Sequence, residues 1–327
     1  MQLSLEHRQQ NAHRNVWLLL LILLVYGCSP IRPTAVDPGL AGIQYVQDAS
    51  FAGTADVYTG SDGAVLGYIK YEKAGTKRAL VYLHGIESHA GWFAQAATLL
   101  RDRGYDVYCL DRRGSGINRE NRGFVSGHVD SYETLLADLT AFIQPLHKRY
   151  ESVFLLGLSW GGKLALGYGL THPEDIGGVV LITPGIRALV DVSLFTKLKI
   201  VLFSWIHPTE PIASPIRPEM FTTTPRNLDF IERDPLRLTY GTARFYWESH
   251  RLDGYIDDRI SNLRLPVQLF LAGGDRIIDN EGVRRVLEQG AQDQLEIVTY
   301  EDQTHSLQLD ATERLVQDID KWLKRHQ

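Results

Sequence analysis

Cysteine is scarce in this chain, with only Cys28 and Cys109 in 327 residues. Cys109 falls within an expected buried strand, where a lone thiol acts as a small core hydrophobe. A disulfide framework is therefore excluded as the source of stability. Charge bias is also small, and a net charge of −5 argues against a nucleic-acid-binding surface. Internal repeats and low-complexity tracts are absent. The longest apolar run, residues 16–26, is too short to cross a bilayer, which takes about twenty residues. From about residue 40 onward the chain is long enough for one sizeable domain.

The N-terminal residues are polar and carry Arg8 and Arg14, and the apolar run follows them. Its length suits the apolar region of an export signal. It ends at Val25-Tyr26-Gly27-Cys28, which resembles the bacterial lipoprotein processing box, with Cys28 as the lipidated first residue of the mature chain. Tyr26 stands where a small residue is usual. An ordinary signal peptide, or an N-terminal anchor with a chance cysteine, is the alternative. Ser29, rather than Asp, after the cysteine resembles the outer-membrane sorting pattern of Gram-negative cells, so a membrane-anchored place in the bacterial cell envelope is expected. Several acyl chains on Cys28 would anchor stably, at about 0.8 kcal/mol per buried methylene. Pro30, Pro33 and Pro38 read as a short extended stalk. The expected organisation is a signal segment over 1–27, a stalk over 28–43, a core built from 44–186 and 265–327, and a helical cap over 187–264.

Beyond the stalk, strand and helix patterns alternate. Two short segments around residues 55–58 and 66–71, separated by Ser61-Asp62-Gly63, form a hairpin signature. Strands are expected over 78–83, 105–110, 153–156, 178–185, 267–272 and 295–300, with helices over 92–103, 131–149 (kinked at Pro145), 163–170, 281–289 and 311–324. This alternation implies an α/β class with a mostly parallel sheet covered on both faces. About eighty residues, 186–265, interrupt it with an amphipathic run over 189–206, a Pro-rich stretch and a helix over 238–249. An insertion this long implies a separate helical cap over the strand ends. Its apolar side chains Leu194, Phe195, Leu198, Val201, Leu202, Phe203, Trp205 and Ile206 are expected mostly to pack against the sheet domain, some of them lining an acyl tunnel.

The chemistry gathers at the strand ends. Val153-Phe154-Leu155-Leu156 runs straight into Gly157-Leu158-Ser159-Trp160-Gly161, a tight strand-to-helix turn that lifts a serine hydroxyl clear of the sheet. Ala272-Gly273-Gly274-Asp275 and Asp302-Gln303-Thr304-His305 end two later strands, at the carboxyl edge where open parallel sheets collect reacting groups. The order Ser, Asp, His suits a triad. Ser159 needs a base to become a nucleophile, the imidazole of His305 can take that proton and return it to the leaving group, and Asp275 would hold the imidazole tautomer. The backbone amides of Ile86 and Trp160 would receive the oxyanion. Each residue has a bland alternative: a turn serine, a helix-capping aspartate, a surface histidine. Asp279 and Asp257 are the other candidates for the acid. Asp111 and Arg113 are expected to shape their loop, and His84 and His89 to make structural hydrogen bonds.

These residues, together with His84-Gly85-x-x-x-His89 and Asp111-Arg112-Arg113-Gly114-Ser115-Gly116, resemble the α/β-hydrolases of the monoacylglycerol lipase, lysophospholipase and serine aminopeptidase-like group. The resemblance runs from about residue 60 to the C-terminus. It implies a serine hydrolase with a mobile helical cap, no cofactor and no metal, acting on lipid or small-molecule esters. Glu87 stands where monoacylglycerol lipases usually carry Gly, and Trp92 where they usually carry Arg, which counts against a strict monoacylglycerol substrate. An aminopeptidase or amidase using the same triad, with Glu210, Glu219 or Glu232 holding a substrate amine, is the second reading. A non-catalytic envelope lipoprotein is the third.

Overall fold

A computed structural model describes residues 46–290 and 294–326; the signal segment, Cys28 and the stalk lie outside the described residues. The hairpin forms as β1 (Thr54–Thr59) and β2 (Val65–Tyr71). Then come β3 (Arg78–Leu83), α1 (Ala94–Asp102), β4 (Asp106–Leu110), α2 (Tyr132–Leu146), β5 (Ser152–Leu158), α3 (Trp160–Thr171) and β6 (Val179–Ile182). After an insertion the alternation resumes with β9 (Val267–Ala272), α8 (Asn280–Glu288), β10 (Leu295–Tyr300), the single turn α9 (Leu307–Asp310) and α10 (Thr312–Arg325). The sheet order is β1-β2-β4-β3-β5-β6-β9-β10. β2 pairs antiparallel with both β1 and β4, and the remaining pairs are parallel. This is the α/β-hydrolase arrangement.

Burial on both faces explains why the strands read as unbroken apolar runs. Alternate residues of each strand serve opposite layers. Val81, Leu155, Leu181 and Leu269 pack under Leu136 and Ile143 of α2, Leu164 of α3 and Val283 of α8. Leu80, Phe154, Val180 and Phe270 pack against Leu100 of α1 and Leu315, Ile319 and Trp322 of α10.

Several elements differ from expectation. The helix over 92–103 begins later, because Ala90–Phe93 form a 3-10 turn whose Gly91 N donates to the His89 ring and whose Ala90 N donates to Asp111. Pro145 lies in the last turn of α2, which stops at Leu146 rather than at the expected residue 149. Pro145 has no N–H to donate to the carbonyl four residues earlier, and its ring crowds that carbonyl, which favours ending the helix here.

The insertion holds α4 (Leu194–Ile206), β7 (Pro211–Ala213), α5 (Pro218–Phe221), α6 (Pro225–Arg233), β8 (Tyr240–Thr242) and α7 (Ala243–Arg259). It is thus not purely helical, since β7 and β8 pair antiparallel. The helix expected over 238–249 starts at Ala243, where the Thr242 hydroxyl accepts from Phe245 N, and runs ten residues further than expected, to Arg259. α7 lies on α3 at Gly167, where a Cβ would come within 2.9 Å of Leu252 Cδ1, so the helix-weakening glycine provides the close approach. The expected packing of α4 against the sheet domain is overturned. Ile200 and Ser204 face inward and Phe203 is half-buried, but Leu194, Phe195, Leu198, Val201, Leu202, Trp205 and Ile206 are exposed, Phe195 by 83%. Thirteen residues suffice for one narrow buried stripe, and Ile200 fills it by joining Ile212 and Ala243 in a small satellite cluster.

Candidate active site

The turn after β5 holds Ser159 at φ 51°, ψ −121°, a conformation that costs a non-glycine residue roughly 1–3 kcal/mol. The surroundings fix it. Ser159 N donates to Ile182 O at 2.9 Å, and its carbonyl accepts from Gly162 N (2.9 Å) and Gly185 N (2.7 Å). A Cβ on Gly157 would lie 2.5 Å from Gly161 O, and one on Gly161 would strike the Leu83 carbonyl. Strand, turn and helix pass too close for any side chain at either position.

His305 follows β10 and Asp275 follows β9, and the two meet: His305 Nδ1 lies 2.8 Å from Asp275 Oδ2. A carboxylate only accepts, so Nδ1 carries the proton and Nε2 is left as an acceptor. Nε2 is buried and has no hydrogen-bond partner among the described residues. Asp275 Oδ1 accepts from Ile277 N (2.8 Å) and Ile278 N (3.1 Å), so the loop that Asp275 caps also orients it. The end of β6 ties the base to the serine turn. Thr183 Oγ1 donates to His305 O at 3.1 Å, while Gly185, two residues on, holds Ser159 O. From the insertion, Phe221 O accepts from Ser306 N at 2.9 Å, and the Phe221 ring lies 5.8 Å from the imidazole.

The two other acid candidates are engaged elsewhere. Asp279 caps α8 by accepting from Gly282 N, and Asp257 pairs with Arg187.

Ile86, Ser159 and Trp160 line one cavity of about 190 Å³, together with apolar residues such as Val190, Ile216 and Ile277. Gly85 brings its loop against the serine, since a Cβ there would sit 3.2 Å from Ser159 Cβ. Asp111 shapes the neighbouring turn by accepting from Ala90 N (2.7 Å) and Ile117 N (2.9 Å). Arg113 locks the same turn onto Asp138 and Asp62. His89 Nε2 and Trp92 Nε1 both reach Asp234 Oδ2, at 3.0 and 2.6 Å. Glu87, on the Ile86 loop, pairs with Arg237 of the insertion at 2.7 Å. The positions that depart from the lipase pattern, Glu87 and Trp92, therefore tie the insertion to the loop beside the serine.

Sequence reasoning missed Arg112. Its guanidinium donates to Gly85 O (Nη1, 2.9 Å) and Ile86 O (Nη2, 2.7 Å). A charged residue in a glycine-rich turn carries no sign in sequence of which carbonyls it will meet.

The chain matches the family described as Serine aminopeptidase, S33, over residues 74–312, more than half its length. It is 24% identical to a monoglyceride lipase of Rattus norvegicus, with 80% of this chain and 88% of the relative covered. It is 25% identical to the lysophospholipase L2 of Escherichia coli, with 68% and 71% covered. Among solved structures it resembles the monoacylglycerol lipase of Paleococcus ferrophilus (TM-score 0.72, 23% identity, 80% of this chain and 99% of that one). It also resembles a soluble variant of monoglyceride lipase from Saccharomyces cerevisiae in complex with a substrate analog (TM-score 0.74, 20% identity, 84% and 95%). With the strand-turn-helix serine and the family match in agreement, the chain belongs to the serine aminopeptidase S33 family of α/β-hydrolases.

Proposed function

We propose that the protein is a membrane-associated serine hydrolase that cleaves carboxylic esters of the monoacylglycerol or lysophospholipid type through an acyl-enzyme on Ser159. The serine carboxylester hydrolase assignment follows from its family and from relatives that are monoglyceride lipases and a lysophospholipase. The observation that carries the site assignment is the His305–Asp275 bond, which leaves a buried, unspent Nε2 on a loop fastened to the serine turn.

In this reading His305 Nε2 takes the Ser159 proton as Oγ attacks the ester carbonyl. The carbonyl electron pair moves onto oxygen, where the Ile86 and Trp160 amides stabilise it. Collapse of the intermediate expels the alcohol, which takes the proton from His305, and water repeats the sequence on the acyl-enzyme. Asp275 stabilises the transient imidazolium.

The cavity favours esters over amino-terminal amides. An aminopeptidase needs a carboxylate to hold the substrate ammonium. Asp191 is the only acid among the described residues that line the cavity, and it is paired with Lys197. Glu210 pairs with Lys199, while Glu219 and Glu232 are exposed away from it. A cavity of about 150 Å³ accommodates benzene, so this one takes an acyl group of roughly eight heavy atoms, and longer chains require the insertion to move.

Two features support work at a lipid surface. The exposed face of α4 gathers seven large apolar side chains, more than solitary surface hydrophobes account for. The Val25-Tyr26-Gly27-Cys28 box supports lipidation of Cys28 and a place in the bacterial envelope.

The test is a panel of p-nitrophenyl acyl esters, monoacylglycerols, lysophosphatidylcholine and aminoacyl p-nitroanilides, run with the wild type and Ser159→Ala. Ester turnover that falls at least a thousandfold in Ser159→Ala supports the proposal. Turnover within tenfold of wild type, or faster cleavage of the aminoacyl anilides than of the esters, overturns it.

A further inference from the structure

Arg112 contacts both residues whose amides are assigned to the oxyanion, Ile86 through its carbonyl and Trp160 through its ring. Its planar fork donates from Nη1 to the Gly85 carbonyl and from Nη2 to the Ile86 carbonyl, at 2.9 and 2.7 Å. Its guanidinium carbon sits 5.1 Å from the ring centre of Trp160 and 5.2 Å from that of Phe245 on α7. Burial brings the guanidinium down to about 9, with Asp111 pulling the other way, so it stays cationic at neutral pH. Burial and the nearby cation hold the His84 imidazole well below its ordinary value. His84 is therefore neutral: its Nδ1, 2.8 Å from Gly85 O, carries the proton and donates to the same carbonyl that Arg112 holds, while Nε2 accepts from Arg112 N at 3.3 Å.

The geometry of the peptide bond gives these contacts a consequence. In a trans peptide the C=O and the N–H point in opposite directions within one plane. The peptide whose oxygen Arg112 holds is the one joining Gly85 to Ile86, and its N–H is the Ile86 donor. The second bond fixes the following peptide, so both planes flanking Ile86 are set by one rigid side chain. A cation on the carbonyl oxygen also polarises the amide and strengthens its N–H as a donor. The face of the same cation rests on Trp160, the residue that supplies the other amide.

We infer that Arg112 is a positioning residue for the oxyanion site, acting through the Gly85–Ile86 peptide rather than by touching substrate. This rests on the proposed role of the Ile86 amide. It predicts that loss of Arg112 weakens the transition state and leaves ground-state binding nearly unchanged, because the guanidinium meets two main-chain carbonyls and not the acyl group. The aromatic contact with Phe245 also makes the donor geometry sensitive to the seating of α7, and so of the insertion.

Arg112→Met and Arg112→Lys in the full chain test this against p-nitrophenyl butyrate, with an alkyl trifluoromethyl ketone as an inhibitor whose serine adduct carries the oxyanion. For Arg112→Met, kcat falls about 10- to 100-fold, KM stays within about threefold, and the ketone Ki rises by the same factor as kcat falls. Arg112→Lys, which keeps the charge but not the fork, falls between the two on the same line. If Arg112→Met does not fold, Arg112→Lys decides by the same comparison of kcat with Ki. A folded variant with kcat within threefold of wild type overturns the inference. So does a fall in kcat with Ki unchanged, or a loss confined to KM or thermal stability, the pattern of a merely structural arginine. A wild type inert toward the ester would instead refute the proposed function.

Discussion

Replacing Asp275 by asparagine changes a single atom and, on the proposed chemistry, reverses the hydrogen-bond logic of the base. In the native site Oδ1 accepts from two backbone amides, Ile277 N and Ile278 N, and Oδ2 accepts from His305 Nδ1. In Asp275→Asn the side-chain oxygen must stay on the two amides, because an NH₂ group there would face two N–H donors. The NH₂ is then directed at His305 Nδ1, which can only accept from it. The imidazole proton moves to Nε2, the one atom that must be empty to take the serine proton. Where the same inversion has been made in a serine-protease triad the rate falls about 10⁴-fold, close to 5.5 kcal/mol, and a loss of that order is expected here. Stability should remain within about 2 kcal/mol of wild type, since the loop amides keep their acceptor. Asp275→Ala should behave differently, because it strands both amides at about 1–3 kcal/mol each. The assay is kcat/KM on p-nitrophenyl butyrate beside urea unfolding for both variants. Asp275→Asn active within tenfold of wild type would refute the assignment of Asp275 as the orienting acid.

Arg237→Met leaves Glu87 buried without its partner, which should cost about 3–5 kcal/mol at neutral pH. Burial raises the Glu87 carboxyl above its ordinary value, and losing Arg237 raises it further. An acid whose folded-state value is raised favours folding below its unfolded value near 4.5 and loses that contribution as pH climbs. The Tm deficit of Arg237→Met should therefore be largest at pH 7–8 and shrink toward pH 4.5, and a deficit independent of pH would contradict this. Phe195→Ser removes a side chain 83% exposed on α4, worth about 2 kcal/mol if it enters a lipid interface, or roughly thirtyfold in partition. Sedimentation with phosphatidylcholine–phosphatidylglycerol vesicles of a chain lacking residues 1–43 should show that loss, with p-nitrophenyl acetate hydrolysis in solution unchanged. Equal binding of wild type and variant would remove α4 from the lipid-binding account.

The sheet was legible because the inner parallel strands β5, β6 and β9 are buried on both faces and read as short apolar runs, while the half-buried edge strand β10 keeps enough apolar residues to register. Strands β3, β9 and β10 begin and end where the sequence places them. The serine turn was legible from Gly157 and Gly161, whose lack of a side chain is demanded by backbone on either side. The His305–Asp275 pairing followed from strand ends and chain order. Features decided by contacts distant in sequence were not legible. An apolar run on a short helix has the same pattern whether it packs inward or faces out, so 189–206 gave no sign that α4 buries only a narrow stripe around Ile200 and leaves Leu194, Phe195 and Trp205 outside. The β7–β8 pair was hidden in a Pro-rich stretch, because three-residue strands are too short for an alternation to register. Arg112 was hidden for a related reason: its partners are main-chain carbonyls of a loop 26 and 27 residues away in sequence, and carbonyls have no sequence signature.

The account depends on Ser159 and His305 acting together, and covalent labelling measures that most directly. Incubation with an alkyl fluorophosphonate followed by intact-mass and peptide mapping should give one adduct, on Ser159. Its formation should be abolished in Ser159→Ala and slowed at least a thousandfold in His305→Ala. An adduct on another residue, or labelling of His305→Ala at the wild-type rate, would contradict the account.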